Sequence, residues 1–236
     1  MNVLISTIVR NREQFLGKWY ENIKALTDLN KDIKFDVSVY ENDSTDDSKA
    51  ILESFDYSFL NKSFSSSENI ATEYYGSVVS EDRVNNLAKA RNKTLDQVDD
   101  LSDYDKVLVI EPDIDYDVKQ GSELLRTEYD IVSGTTPHPH VPIYDNWCTR
   151  LKETDSSWPI FIGLDSFEND IIPVWTTFNC FCVYKAEPFI AGARYSGFNE
   201  RLNTFDCDTV VICEEFRKLG FKNIVLDRTF EVKHFS

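Results

Sequence analysis

Hydrophobic and polar positions change period along the chain, and these changes predict which segments are strands and which are helices. Strands are predicted where apolar or β-branched residues run together or alternate, at residues 3–9, 35–40, 57–61, 106–110 and 130–133. Helices are predicted where apolar residues recur every three or four positions, at residues 13–29, through 51–52, at 82–98 and at 118–125. Residues 63–80 are mostly small and polar, which predicts a surface loop.

The second half of the chain is less regular. Residues 134–173 contain five prolines and two tryptophans with little periodicity, which predicts an irregular insertion. Strand alternation returns at residues 174–184, and a helix is predicted at residues 208–219, closed by Gly220. Two short strands are predicted at residues 224–226 and 230–232.

The order of these elements predicts an α/β fold, doubly wound, with a mixed sheet flanked by helices. In such sheets ligands bind beyond the carboxyl ends of the strands. Polar clusters are expected at three of these ends, at residues 10–12, at residues 41–47 and directly after Ile110. The sequence has no glycine-rich phosphate loop, so a bound phosphate would need another counter-charge.

The charge of the chain limits its partners. With 41 acidic and 25 basic residues among 236, the net charge is −16, which repels nucleic acids and anionic membrane surfaces. We therefore expect no nucleic acid partner. An anionic substrate would bind only where a metal ion, or a few Arg and Lys side chains, reverse the local field.

The sequence has no run of about 18 apolar residues that would span a membrane, and its N-terminus has the pattern of a strand rather than of a signal peptide. We expect the protein to act in the cytoplasm, of a bacterium or a virus-infected cell, or as a module of a longer chain. Five cysteines, all in the second half, are expected to be free thiols in a reducing compartment. The spacing of Cys180, Cys182, Cys207 and Cys213 is not that of a zinc knuckle.

Asp113-Ile114-Asp115 follows the buried strand predicted at residues 106–110. Clustered carboxylates repel each other, which raises their pKa values and destabilises the folded chain. A bound divalent cation compensates this repulsion. Carboxylate oxygens suit Mg²⁺ or Mn²⁺, which keep open positions for diphosphate oxygens. The alternative is a solvated acidic turn, since the chain has many acids. A calcium loop is excluded, because Val118 and Leu124 stand where such a loop needs Gly and Glu.

Several segments resemble GT-A glycosyltransferases in their order and spacing. They are residues 90–95, the strand at residues 106–110 with its acidic end, Tyr129-Asp130, Tyr144-Asp145-Asn146-Trp147 with Arg150, Cys207-Asp208, residues 213–215 and residues 231–234. The resemblance covers most of residues 82–234, and the turn at residues 41–44 is similar as well. The family that these segments resemble is the fungal capsule α-1,3-mannosyltransferases, glycosyltransferase family 69.

The resemblance implies one GT-A domain over residues 1–236, with a nucleotide-sugar-binding half at residues 1–133 and an acceptor-binding half at residues 134–236. It implies an enzyme, a hexosyltransferase that moves a hexose from a UDP- or GDP-sugar to a glycan hydroxyl with Mn²⁺ or Mg²⁺. The rival interpretation is a non-catalytic carbohydrate-binding or scaffold protein with the same fold. Retention or inversion of stereochemistry stays open.

For the donor, the resemblance implies that Asp113 and Asp115 hold the metal ion against the diphosphate, with His234 as a third ligand. The alternative for His234 is an exposed terminal histidine. Arg91 would contact the diphosphate or brace the Asp pair, although it could equally pair with a structural acid. The remaining donor-binding candidates line the ends of the first two strands and are Thr7, Val9, Arg10, Asn42 and Asp43, the last of which could also cap a helix.

For the acceptor, the irregular segment offers Asp145, Trp147, Arg150 and Trp158, because sugars bind to aromatic faces beside charged groups. Ordinary packing is the alternative for the tryptophans. If the reaction uses a general base, the candidates lie near the start of the last helix, with Asp208 first, Asp206 second and Glu214 third. Asp208 could instead serve only as an N-cap.

Overall fold

The computed structural model describes residues 1–76, 78–137, 144–155 and 167–235. The strands are β1 (Asn2–Val9), β2 (Lys34–Asn42), β3 (Lys62–Glu68), β4 (Lys106–Ile110), β5 (Ile114–Tyr116), β6 (Ile131–Thr135), β7 (Ile171–Pro173), β8 (Phe181–Lys185), β9 (Phe198–Asn199), β10 (Thr204–Phe205) and β11 (Ile224–His234). The α-helices are α1 (Glu13–Leu29), α2 (Ser48–Ser54), α3 (Glu81–Asp96), α4 (Val118–Leu125), α5 (Glu187–Ile190) and α6 (Asp208–Lys218).

Within the described part of the chain, nine strands form one mixed sheet. Its order is β3-β2-β1-β4-β8-β6-β11-β5, and β7 pairs with β11 outside this path. Strands β1 to β4 are parallel to one another, whereas β8 runs antiparallel to both β4 and β6. The carboxyl ends of β1, β2, β3, β4 and β6 therefore meet at the same edge. The predicted α/β fold with a mixed sheet is confirmed.

Helices cover both faces of the sheet, which explains why its central strands are apolar throughout. In β1, Val3 and Ile5 pack on one face with Leu16 and Trp19 of α1, whereas Leu4 packs on the other face in the cluster that includes Phe216 of α6. Each such side chain removed from water contributes about 1.5–3 kcal/mol. This two-sided burial holds β1 in place beneath the edge where its carboxyl end emerges.

Capping residues set where the main helices begin and end. The Ser80 hydroxyl accepts a hydrogen bond from the Arg83 amide at the start of α3, and Asp117 accepts from two amides of the first turn of α4. The chain leaves α6 through Gly220, whose φ of 96° is readily adopted only by glycine. No helix in the described ranges is long and apolar enough to cross a membrane.

The strand predicted at residues 57–61 is wrong. These residues form a turn in which the Leu60 amide donates to the Tyr57 carbonyl, and Tyr57 packs instead against the rings of Tyr20 and Phe55. The actual strand is β3, which lies in the segment predicted as a loop. Its serines have little strand preference of their own, so its conformation comes from parallel pairing with β2.

Other boundaries also differ from the predictions. Residues 174–180 are not part of a strand, since positive φ angles at Asn179 and Cys180 interrupt the extended backbone just before β8. The two predicted final strands are one strand, β11, whose pairing with β6 shifts register between Leu226 and Glu231. The predicted irregular insertion starts too early and ends too late, because β6 extends to Thr135 and β7 lies at its far end.

Candidate active site

A cavity of about 600 Å³ lies at the carboxyl edge of the sheet, where the sequence predicts a ligand site. Its wall is built from the ends of β1, β2, β3 and β4, from α3, from the start of α6 and from the end of β11. Two loops complete the wall. One is the segment at residues 69–76, called the strap below, and the other is the Tyr144–Trp147 segment.

Asp113 lies on the cavity wall between two basic side chains. Its Oδ2 atom is 2.9 Å from Arg12 Nε and 3.6 Å from His234 Nε2. His234 arrives there because β11 pairs antiparallel with β5, which sets His234 opposite Ile114. Burial raises the pKa of Asp113, but the hydrogen bond from His234 and the charge of Arg12 outweigh burial and lower it below its ordinary value.

The Asp113 and His234 side chains are suited to hold one divalent cation. Two neighbouring ligands of a six-coordinate cation, each about 2.1 Å from it, lie roughly 3 Å apart, close to the 3.6 Å between Asp113 Oδ2 and His234 Nε2. The His234 ring stacks on the Tyr144 ring at a centroid distance of 3.9 Å. Its Nδ1 atom is buried and has no hydrogen-bond partner among the residues that the structure describes. A cation on these two residues would leave coordination positions for diphosphate oxygens.

Asp115 is not brought to this cavity, in contrast to its predicted role as a metal ligand. Its Oδ1 atom lies 3.3 Å from Lys18 Nζ and accepts a hydrogen bond from Asn22, so the side chain faces α1. Asp113 and Asp115 differ because Asp113 lies in the turn before β5, whereas Asp115 lies within the strand. In the described ranges, no group of three His, Cys, Asp or Glu side chains could hold a metal ion.

Arg91 joins two acidic side chains of the cavity wall. Its Nη2 atom lies 2.7 Å from Glu111 Oε1 at the end of β4, and its Nε donates to Asp208 Oδ2 at 2.9 Å. The guanidinium packs 4.6 Å from the centre of the Phe178 ring. Burial lowers the pKa of Arg91, but the charges of Glu111 and Asp208 outweigh burial and raise it, so Arg91 remains a cation. The guanidinium of Arg91 is therefore already paired with two carboxylates of the cavity wall.

The three carboxylates considered as bases occupy different environments. Asp208 lines the cavity at the first residue of α6. Asp206 is completely buried away from the cavity lining, where it accepts hydrogen bonds from both terminal nitrogens of Arg150 at 2.7 and 2.6 Å. Glu214 also lies off the lining and pairs with Arg201 at 2.7 Å. Of the three, Asp208 alone faces the cavity.

Two of the donor-binding candidates at the ends of β1 and β2, Arg10 and Asp43, form hydrogen bonds that hold the strap in place. Arg10 donates to the carbonyls of Thr72 and Glu73, and Asp43 accepts hydrogen bonds from three strap amides and from the Thr72 hydroxyl. Burial raises the pKa of Asp43, but these hydrogen bonds lower it well below its usual range. Val9, Arg10 and Asn42 line the cavity, whereas the hydroxyl of Thr7 donates to the Ile110 carbonyl and Asp43 is not among the lining residues.

Two of the predicted acceptor residues, Asp145 and Trp147, line the cavity. Burial raises the pKa of Asp145 to about 6, although the Asn179 amide donates to its Oδ2 atom at 3.2 Å. Within the described part of the chain, no cation lies at ion-pair distance from Asp145. Arg150 is buried in its pair with Asp206 and does not reach the cavity, and Trp158 lies outside the described residues.

Sequence reasoning missed three wall residues, Arg12, Glu111 and Tyr144, as ligand-binding candidates. Arg12 and Glu111 each follow a parallel strand at the edge where ligands bind, and this signal could have identified them. The stacking of Tyr144 on His234 joins two segments far apart in the sequence, so no local pattern indicates it.

Comparison with protein families decides the class of the chain. A family model described as Cryptococcal mannosyltransferase 1 matches residues 2–215. The chain belongs to this family. It is therefore a domain of a glycosyltransferase family, and the resemblance seen in its sequence is confirmed. No curated protein matches the chain significantly.

Solved structures agree with the GT-A fold. TarS residues 1–349 from S. aureus, in complex with UDP-GlcNAc, is 13% identical with a TM-score of 0.60, and the match covers 100% of this chain and 59% of that one. The mannosyltransferase PcManGT from Pyrobaculum calidifontis, in complex with GDP-Man and Mn²⁺, is 13% identical with a TM-score of 0.54, covering 98% and 56%. The chain thus spans less than two thirds of these related structures.

Proposed function

We propose that this domain transfers a hexose from a nucleotide diphospho-sugar to a glycan hydroxyl, with a divalent cation at Asp113 and His234. The observation that carries the proposal is the position of these two side chains, 3.6 Å apart, on the wall of the cavity at the carboxyl edge of the sheet. A cation and basic side chains at this edge would stabilise the negative charge that develops on the departing nucleoside diphosphate.

The charge of the cavity wall supports an anionic donor. Six Arg and Lys residues and six Asp and Glu residues are among its described lining residues, whereas the whole chain carries −16. The acidic field of the protein is therefore locally balanced. Arg12 is the basic residue nearest to Asp113, and its guanidinium can bind diphosphate oxygens in two-point contacts.

Residues 1–133 would form most of the donor subsite. Val9 and Asn42 line the cavity at the ends of β1 and β2, where a nucleoside would lie with its diphosphate toward Asp113. The proposal includes both UDP- and GDP-sugars as donors. The complex of PcManGT with GDP-Man and Mn²⁺ and the mannosyltransferase family support GDP-mannose as the first donor to test.

Residues 134–236 would form the acceptor side. Asp145 and Trp147 offer a carboxylate and an aromatic ring to a sugar, and Asp208 lies on the same cavity wall. Arg91 donates to Asp208 Oδ2 and fixes the orientation of the carboxylate, so that it can accept a hydrogen bond from the acceptor hydroxyl. Asp206 and Glu214 carry no catalytic role in this proposal, because each is bound to an arginine away from the cavity lining.

Donor turnover tests the proposal. Release of UDP or GDP is measured from a panel of nucleotide sugars with Mn²⁺ or Mg²⁺, and again after a chelator removes the metal. We expect release from at least one donor, abolished by the chelator and reduced at least about 100-fold in Asp113→Asn. Binding of sugars without release from any donor would instead indicate a non-catalytic carbohydrate-binding protein.

A further inference from the structure

Asp113 already forms an ion pair with a side chain of the protein, the guanidinium of Arg12. The Oδ2 atom that faces His234 is the same atom that lies 2.9 Å from Arg12 Nε. The Asp113 side chain is 8% exposed and the Arg12 side chain is 31% exposed, so the guanidinium approaches a buried carboxylate from the open side. A metal ion on Asp113 and a guanidinium in its present position would compete for one oxygen.

We infer that Arg12 is a positioning residue that neutralises Asp113 before the donor binds and transfers to the diphosphate when metal ion and donor bind. This inference rests on the proposed function. A divalent cation about 2.1 Å from Asp113 Oδ2 would lie within roughly 4 Å of the guanidinium, where two positive charges repel. Diphosphate oxygens relieve this repulsion, because they offer both cations a new partner.

The other contacts of Arg12 would permit such a transfer. Its Nη1 atom donates to two main-chain carbonyls, that of Asn11 at 3.1 Å and that of Arg10 at 3.4 Å, and the guanidinium also forms a hydrogen bond with the neutral side chain of Tyr74. Arg91, by contrast, is clamped between two carboxylates, and Arg10 is bonded to the strap. Among these three arginines of the cavity wall, Arg12 is therefore the one that can exchange its partner at small cost.

The exchange makes metal and nucleotide binding cooperative. A metal ion that binds alone must displace Arg12 without compensation, whereas a nucleoside diphosphate gives Arg12 a replacement for Asp113. Each ligand then increases the affinity for the other by the same factor. Removal of the Arg12 charge should strengthen binding of the metal alone and weaken this coupling.

The test is a calorimetric titration with Mn²⁺ alone, and with UDP or GDP present, on the wild type and on Arg12→Gln. Without nucleotide, Arg12→Gln should bind Mn²⁺ at least about threefold more tightly than the wild type, since a partly exposed ion pair no longer competes. Addition of the nucleoside diphosphate should increase Mn²⁺ affinity less in Arg12→Gln than in the wild type.

Two control variants separate this effect from a general change of charge. Lys18→Gln removes one positive charge of α1 beside Asp115 and should keep wild-type Mn²⁺ affinity. Arg12→Lys retains the positive charge and should restore weak binding of Mn²⁺ alone. Circular dichroism spectra are compared for all variants, so that the titrations are made on folded protein.

Three results would overturn the inference. Equal or weaker Mn²⁺ binding by Arg12→Gln would show that Arg12 does not compete with the metal. An equal gain in Lys18→Gln would show a general field effect. If the wild type binds Mn²⁺ neither alone nor with a nucleotide, the metal site of the proposed function fails as well, and this outcome is distinct from the first two.

Discussion

Two aspartates bind buried arginines, Asp208 as the first residue of α6 and Asp206 two residues before it, but they belong to different regions of the molecule. Asp206 binds Arg150 through two hydrogen bonds, and both side chains are at most 1% exposed. Asp208 binds Arg91, which also pairs with Glu111, and all three residues line the cavity. The first pair is buried in the interior, away from the cavity, whereas the second pair forms part of the cavity wall.

Two Arg–Asp ion pairs of the same kind thus differ in their surroundings, and only the pair that lines the cavity takes part in the proposed reaction. Arg150 donates to Asp206 from both terminal nitrogens, and Asn199 donates a further hydrogen bond to Asp206. Breaking this pair would leave an uncompensated buried charge, which is strongly destabilising. Arg91 retains a second carboxylate when one is removed, so a change at Asp208 should affect the reaction more than the fold.

The largest expected effect is on stability. Arg150→Met leaves Asp206 buried without its cation and should lower the free energy of unfolding by about 3–5 kcal/mol. Urea denaturation measures this loss. The matched control is Arg126→Met, whose pair with Asp32 is exposed, and its expected loss is much smaller than that of Arg150→Met. Equal losses in the two variants would contradict the account of a sealed pair.

The second expected effect is on catalysis. Asp208→Asn keeps the shape of the side chain but removes its charge, and should lower the rate of sugar transfer about 100-fold. Its loss of unfolding free energy should be smaller than that of Arg150→Met, since Glu111 still pairs with Arg91. Rates are measured at saturating donor. A large loss of stability with an unchanged rate per folded molecule would remove the distinction between the two pairs.

The smallest effect concerns Asp145. Unlike Asp206 and Asp208, it has no arginine or lysine at ion-pair distance among the described residues. Burial raises its pKa from 3.8 to about 6 in the folded state, so the folded chain binds more protons than the unfolded chain between these values. Its contribution to stability therefore falls as pH rises from about 4 to 6. Asp145→Asn lacks this penalty and should be more stable than the wild type at pH 7 by about 1–3 kcal/mol.

Urea denaturation of the wild type and of Asp145→Asn at several pH values measures this difference. The two stabilities should be closest near pH 4 and should diverge up to about pH 6. A constant difference across this range would show that Asp145 is not buried as described.

Much of the fold follows from local sequence. The bounds predicted for α1, α4 and β4 coincide with those observed, because apolar periodicity and end signals agree there. The location of the site also follows, since the carboxyl ends of parallel strands share one edge. The segment of β3 was predicted wrongly, because its serine-rich sequence depends on pairing with β2 rather than on its own preference.

The roles of individual acids could not be read from the sequence. Asp113 and Asp115 look equivalent in the Asp-x-Asp pattern, but pairing of β5 with the distant strand β11 gives them different neighbours. Asp206 and Asp208 are only two positions apart in the sequence. Their arginine partners, Arg150 and Arg91, come from separate segments that local patterns do not connect. Long-range contacts therefore decide which carboxylates face the cavity.

The central claim is that Asp113, and not Asp115, holds the cation that binds the donor diphosphate. Calorimetric titration with Mn²⁺ in the presence of a nucleoside diphosphate tests it directly on Asp113→Asn and Asp115→Asn. The account predicts loss of detectable Mn²⁺ binding in Asp113→Asn and an affinity within about threefold of the wild type in Asp115→Asn, whose side chain pairs with Lys18 on α1. Undiminished Mn²⁺ binding by Asp113→Asn would contradict it.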